Sequence, residues 1–524
     1  MRRRFAPLMT IALVATTGSP VAVVVPPCAA MPWLKFPLTP GVAVALALII
    51  SLPATAQTAS PRQARLLVDH DGHGLFSTLT THYQTDIDEL VGDLPSNVTT
   101  FLLCSGAGRY YYPTKVGDVD PRLRQLNAEH AAGHDPFGYF LERLHASGRE
   151  TFITFRMNDT HNPTDADNWN TPRVRLEHPD VVVDAEAIAR NDKATMNWAL
   201  DYSRPEVQAY IRAMLAEVVD RYGSTIHGMQ LDWMRFPRHL SGRGEEVWAK
   251  RRFLTAIVEE AREMTKARGL KLAVRVPPTP EGCRVLGVDL EDWAKRDLVD
   301  FVTASEFLDS DYEMPIDGFR RLVGDKLPVY ACIETEIGWQ TNSPESLRAL
   351  ATSLYACGAD GLSFFNYPRT PFTATPWEWL IGLESPETAA QKPLLFAVAQ
   401  KKYRKNVDQP GVLPAVIAAH GTLSIPLALP AAALPARRAR VLLSAAQPLR
   451  VMVNGQSIEA VPALRWTELF VEYIRPGEAR RPKAGEAQLY RLDAAKLHGG
   501  VNTLELRNES DSPVEVTRIN LGLW

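Results

Sequence analysis

One pattern recurs eight times between residues 66 and 365: a short apolar run, a polar cluster, and in most cases a helical stretch. The runs are Leu66–Val68, Val98–Leu103, Phe152–Phe155, Ile226–Leu231, Leu272–Val276, Phe301–Ala304, Val329–Ile333 and Gly361–Phe365. Strands that are apolar on both faces and alternate with helices imply a parallel sheet covered by those helices. Eight such units predict an α/β fold of the (β/α)8 barrel type, spanning residues 62–404. An open doubly wound sheet is the alternative. The sequence "DHDGHG" after the first run lacks the glycine-rich phosphate turn that such a sheet would carry there.

Helix signals support the alternation. Ser203-Arg204-Pro205-Glu206 reads as a capping box with proline in the first turn, followed by an apolar stripe at Val207, Ile211, Met214, Leu215 and Val218. Asp135-Pro136 opens a helix that ends by Gly148, and Ser343-Pro344-Glu345 opens one that ends by Gly358.

In a barrel, the residues just past each strand line a common mouth. Here they are chemically rich. The first strand supplies Asp69, His70, Asp71 and His73, and the third runs into "FRMNDTHN", with Arg156, Asn158, Asp159, His161 and Asn162. The fourth supplies Asp232, Trp233 and Arg235, and the fifth Arg275. The sixth supplies Glu306, Asp309 and Asp311, the seventh Glu334 and Glu336, and the eighth Asn366, Tyr367 and Arg369.

Many donors and acceptors beside aromatic rings suit a hydroxyl-rich carbohydrate ligand. Glycosidic cleavage needs two carboxyl groups, and Asp232 and Glu334 come from strands on different sides of a barrel. The expected catalytic set is therefore Asp232 as nucleophile or base, Glu334 as proton donor, and Glu306 in reserve. Arg235 is the expected partner of Asp232. Asp69, His73, Arg156, Asn158, Asp159, His161, Trp233, Arg235, Arg275, Asn366 and Tyr367 are expected to bind substrate. Trp233, Trp339, Trp377 and Trp379 are candidate sugar platforms.

Two other functions remain open at this point. One is a non-catalytic carbohydrate-binding protein on a barrel scaffold. The other is a metal-dependent barrel hydrolase, raised by His70, Asp71 and His73. Their spacing is not the H-x-H pair of such sites, and the fifth and sixth strands offer no histidine, so neither metal nor cofactor is expected.

The segments "ALDYSRPEVQAYI" and "IHGMQLDWMRFP", with "FRMNDTHN" and "CIETE", resemble secreted bacterial proteins of the glycosyl-hydrolase-like ten type over residues 65 to 390. The resemblance implies a (β/α)8 barrel, a glycosidase activity, and a fourth-strand Asp with a nearby Arg. The better-known retaining barrel glycosidases carry Glu on strands four and seven; strand four here offers Asp232.

Beyond Arg404 the pattern changes. "KNVDQPGVLP" reads as a linker, and residues 412–524 read as an antiparallel β-sandwich of the jelly-roll, galactose-binding-like kind. Its expected strands are Thr422–Ala428, Arg440–Ser444, Leu449–Val453, Thr467–Tyr473, Ala487–Arg491, Thr503–Arg507 and Val514–Leu521. Such a module either binds sugar or packs on the barrel.

Residues 1–56 read as a targeting segment, with Met31 as an alternative start and an uncleaved membrane anchor as the alternative role: a basic start at Met31–Lys35, an apolar run Gly41–Leu52, and Ala54-Thr55-Ala56 as an A-x-A cleavage site. Secretion or a periplasmic location follows, with no membrane span after the segment is removed. Cysteines number 5; Cys28 leaves with the targeting segment, and Cys104, Cys283, Cys332 and Cys357, without paired spacing, read as buried thiols. With 57 Lys+Arg against 60 Asp+Glu, no electrostatic footprint for nucleic acid is present.

Overall fold

The structure is a computed structural model. It describes residues 65–161, 168–190, 194–307, 309–334, 336–337, 340–367, 376–398, 402–404, 407–409, 412–461 and 487–524. The targeting segment, Asn162, Trp339, Arg369 and the expected strand Thr467–Tyr473 lie outside the described residues.

Eight parallel strands close into a barrel. They are β1 Arg65–His70, β2 Thr100–Cys104, β3 Glu150–Arg156, β4 Gly228–Asp232, β5 Lys271–Val276, β6 Phe301–Ala304, β7 Val329–Ile333 and β8 Gly361–Phe365. Each expected run became one strand, and β1 pairs with β8 to close the ring.

The interior is layered. Side chains alternate along a strand, so every second residue points to the axis. Leu67, Leu102, Phe152, Ala273, Phe301 and Tyr330 form an apolar plug separate from the outer core. β4 and β8 contribute Gly228 and Gly361 at this level, because a Cβ would run into the Phe152 ring at Gly228 and into the backbone of Arg65 at Gly361. Phe152 meets Phe301 edge to face at 5.4 Å, and Phe301 meets Tyr330 likewise at 5.3 Å. Below the plug, Glu150 pairs with both Arg65 and Lys271.

Three helices show how local sequence sets the frame. In α1, Pro136–Ala146, the Asp135 side chain caps the amide of Gly138 at 3.0 Å. In α2, Pro205–Tyr222, the expected stripe is buried. The expected capping box is absent, however: Ser203 donates its hydroxyl to Asp201, and Arg204 takes the cap position without a side-chain bond. In α3, Pro344–Ala356, Ser343 and Ser346 form a reciprocal capping box.

The C-terminal part forms two antiparallel sheets, one 6-stranded and one 4-stranded, with apolar inner faces. The first strand of the larger sheet is already Leu394–Ala397, within the range expected for the barrel; it pairs with Val514–Leu523. That segment is also tied to the barrel. Tyr312 donates to the carbonyl of Leu395 at 2.7 Å, and Arg348 of α3 donates to that of Pro393. No helix among the described residues is long and apolar enough to cross a membrane.

Candidate active site

Register brings three charged residues side by side. Arg156 at the end of β3 pairs with Asp232 at the end of β4, and Asp232 pairs with Arg275 of β5. Arg275 is 1% exposed. Its Nη1 donates to both oxygens of Asp232, at 3.1 and 3.0 Å, and its Nη2 donates to Glu334 Oε1 at 3.0 Å. Ser305 Oγ accepts from Nε and Nη2, and the guanidinium lies 3.5 Å over the Phe365 ring centroid. Burial works against the charge on Arg275, but Asp232 and Glu334 outweigh it and hold its pKa above the ordinary value.

The Asp232 carboxylate and the Glu334 backbone are each held from behind. Asp232 Oδ1 accepts from the amides of Met234 and Arg235 at 2.9 and 3.0 Å. The backbone of Glu334 is held on both sides: Ser310 Oγ bonds its N–H and carbonyl, and Asn342 donates to the same carbonyl at 2.7 Å. Glu306 is 6% exposed, and its carbonyl accepts from Ser305 at 2.8 Å and from Arg275 at 3.4 Å.

A second charged group stands beside the first. Arg156 bonds Asp71, donates to Asp159 at 3.2 Å and reaches Asn366 Oδ1 at 3.5 Å. Asp159 also bonds His161 Nδ1, and His161 Nε2 lies 2.9 Å from Arg235 Nη2. An arginine N–H only donates, so Nε2 accepts and the imidazole is neutral with its proton on Nδ1. Burial lowers the pKa of His161 in agreement. Burial opposes charge on Asp159 too, but His161, Arg235 and Arg156 win and hold it well below the usual carboxylate range.

Asp69 is different. It is 2% exposed, and among the described residues no group donates a hydrogen bond to either carboxyl oxygen. Burial first, then the charge of Asp232, push its pKa well above the ordinary value.

Several expected site residues have other roles. Trp233 lies on the opposite face of β4 and is buried against Tyr202, His239 and Trp293, so it is no sugar platform. Tyr367 is buried and donates to the carbonyl of Pro376 at 2.6 Å. Asn158 ties the loop after β3 to Leu200 and Arg238 through both ends of its amide. Arg235 serves Asp159 and His161 with its side chain, and Arg275 takes the role expected of it at Asp232.

The histidines after β1 do not converge. His70 packs between Phe101 and Phe140 and accepts the amide of Gly72, while His73 is half-buried near Asp71 and Asp120. No cluster of His, Cys, Asp or Glu suited to a metal ion occurs among the described residues. Asp309 is buried, and Asp311 lines a cavity of about 510 Å3 between barrel and sandwich.

Sequence reading missed Ser305 and Trp169. Trp169 is half-buried beside His161, with the Arg122 guanidinium 3.3 Å over its ring. Counting inward by twos from the plug would have found the main group. Asp69, Arg275 and Cys332 stand two residues beyond Leu67, Ala273 and Tyr330, and Trp233 falls out of phase.

Fold and site together define a (β/α)8 barrel whose mouth holds buried acids and arginines. No family model matches the chain, and no curated protein does. Solved structures similar to it include the PgaB (BpsB) glycoside hydrolase domain from Bordetella bronchiseptica. That match has 13% identity and a TM-score of 0.39, covering 62% of this chain and 99% of that one. Alpha-L-fucosidase isoenzyme 1 from Paenibacillus thiaminolyticus shares 12% identity at a TM-score of 0.34, covering 85% and 97%. A class V chitinase from Pseudomonas fluorescens Pf-5 shares 12% at 0.34, covering 60% and 98%. Values this low carry no functional argument.

Proposed function

We propose that this protein is a secreted glycoside hydrolase acting on an oligo- or polysaccharide. The observation that carries the reading is the sharing of Arg275 by Asp232 and Glu334, acids delivered by β4 and β7 to one mouth. Glycosidic cleavage passes through an oxocarbenium-like state, which carboxylates on either side of the sugar stabilise. A carboxylate that accepts from a guanidinium and two amides is positioned as nucleophile or base, which suits Asp232. Glu334 also accepts from Arg275, which suits it as the second stabilising acid better than as the proton donor expected from sequence. Arg156, Asp159 and Asn366 stand beside them as donors and acceptors for sugar hydroxyls.

A screen of glycans with product analysis tests this reading. Turnover is expected on at least one, and Asp232→Asn and Glu334→Gln are each expected to lower kcat/KM about 10³-fold or more. The four hydrogen bonds on Asp232 favour a second reading, a carbohydrate-binding barrel without turnover, in which that side chain only braces the mouth. Binding in calorimetry without products from any glycan would select it.

A further inference from the structure

Asp232 and Glu334 both accept hydrogen bonds from one guanidinium, so neither is suited to protonate the leaving-group oxygen of a glycoside. Register indicates where a proton source lies. Asp69 of β1 pairs with Phe365 of β8, and Phe364 pairs with Ile333, the residue before Glu334. Phe365 is the ring on which Arg275 lies. Asp69 is thus brought to the floor of the same charge cluster, pointing inward two residues above the plug residue Leu67.

We propose that Asp69 is the proton donor of the reaction, a catalytic residue acting with Asp232 and Glu334. The inference rests on the glycosidase reading. Its ground is the buried carboxyl to which no described residue donates a hydrogen bond. An ionised carboxylate left so would forfeit several kcal/mol of solvation, whereas the protonated acid is neutral. The surroundings agree. Burial and the negative charges of Asp232 and Asp71 favour the proton on Asp69, and they outweigh the opposing Arg275 and Arg156. The nearby thiols of Cys104 and Cys332 are pushed up to about 12 by burial and stay neutral.

The step balances. As the bond from anomeric carbon to leaving oxygen breaks, its electron pair stays on that oxygen, which takes the Asp69 proton and departs as an alcohol. Water supplies the oxygen that ends on the anomeric carbon. One of its protons goes to a carboxylate and is relayed back to Asp69.

The test has two arms on the full chain. The first needs no substrate: infrared spectra of protein labelled with 13C at the aspartate carboxyl. A protonated aspartate band is expected at neutral pH, where Asp311, raised by burial to about 6, is mostly ionised. The band is expected to vanish in Asp69→Asn; should that variant not fold, the labelled wild type still reports the proton. The second arm uses a substrate from the glycan screen. Asp69→Asn is expected to lose on the order of 10²–10⁴-fold in kcat/KM on the natural glycoside, and far less on the dinitrophenyl glycoside of the same sugar, whose leaving group needs no proton. A purely structural Asp69 would not produce that split. Absence of the band with turnover intact overturns the donor role alone. So does a leaving-group dependence that follows Glu334→Gln instead. A band present in a protein inactive on every glycan overturns the glycosidase reading, and the donor role with it.

Discussion

Two levels of one barrel differ in kind although a single step along the strands separates them. At the lower level Leu67, Phe152, Ala273, Phe301 and Tyr330 interlock, with glycines where a ring or the neighbouring backbone needs room. At the upper level the same strands present Asp69, Asp232 and Arg275, all at most 2% exposed. The lower level gains free energy by excluding water from hydrocarbon. The upper level costs free energy to desolvate and is held by the pairing of Arg275 with two acids, by hydrogen bonds from Arg275 to Ser305 and from two backbone amides to Asp232, and by the Phe365 ring. Replacing a buried ion pair by well-packed apolar side chains is often neutral or stabilising, so the upper level is not explained by stability.

The sharpest way to break this contrast is Arg275→Met. It removes one cation and strands two buried carboxylates. Breaking a buried pair costs about 3–5 kcal/mol, and here two are broken at once, so a loss of about 5 kcal/mol is expected in urea unfolding, with activity abolished. A stability loss below about 1 kcal/mol would mean that the carboxylates are not paired as described.

The contrast also explains what was legible in the sequence. Every barrel strand was visible because the apolar period reports the lower level and the helix-facing side, which packing dictates. The acids at the strand ends were visible as residue types. Their partners were not, because partnership depends on which strand faces which. Arg235, close to Asp232 in sequence, was the natural guess; Arg275, 43 positions away, holds it because β5 lies beside β4. The capping box at Ser203 failed for a similar reason: Asp201, two residues earlier, competes for its hydroxyl. Trp233 was misread because only the alternation of faces separates a mouth residue from a packing one.

At the lower level, Phe152→Ala opens a cavity between Phe301 and the glycine of β4. A large aromatic lost from a close-packed core costs about 3–5 kcal/mol. This substitution is expected to sit near 4 kcal/mol by urea unfolding, since the neighbouring Gly228 offers no side chain to collapse into the space. The prediction that sharpens the comparison is its pH behaviour. The loss is expected to be the same from about pH 5 to 9, because across that range Tyr330, the titrating member of the plug, keeps its proton and Glu150 below it stays ionised. A loss that grows toward either end of the pH range would show the two levels to be coupled.

The remaining effect concerns Asp69; it is spread over the pH range and has a definite sign. Its pKa is raised in the folded chain above the ordinary 3.8, so above that value the folded state binds more protons than the unfolded one. Stability must then fall as pH rises from about 4 through the folded pKa, by at most about 1.4 kcal/mol per pH unit for one group. Asp69→Asn removes that proton and the slope that goes with it. The difference in urea midpoint between wild type and Asp69→Asn, measured at a series of pH values, isolates the term from all other titrations. The variant is expected to gain on the wild type steadily as pH rises from acid to neutral, since in that range the unfolded wild-type chain releases the Asp69 proton that the folded chain keeps. A difference independent of pH would mean that Asp69 titrates alike in both states. The upper level would then hold one more fixed anion, and the proton the reaction requires would have to come from Glu306, the acid beside Ser305 and Arg275.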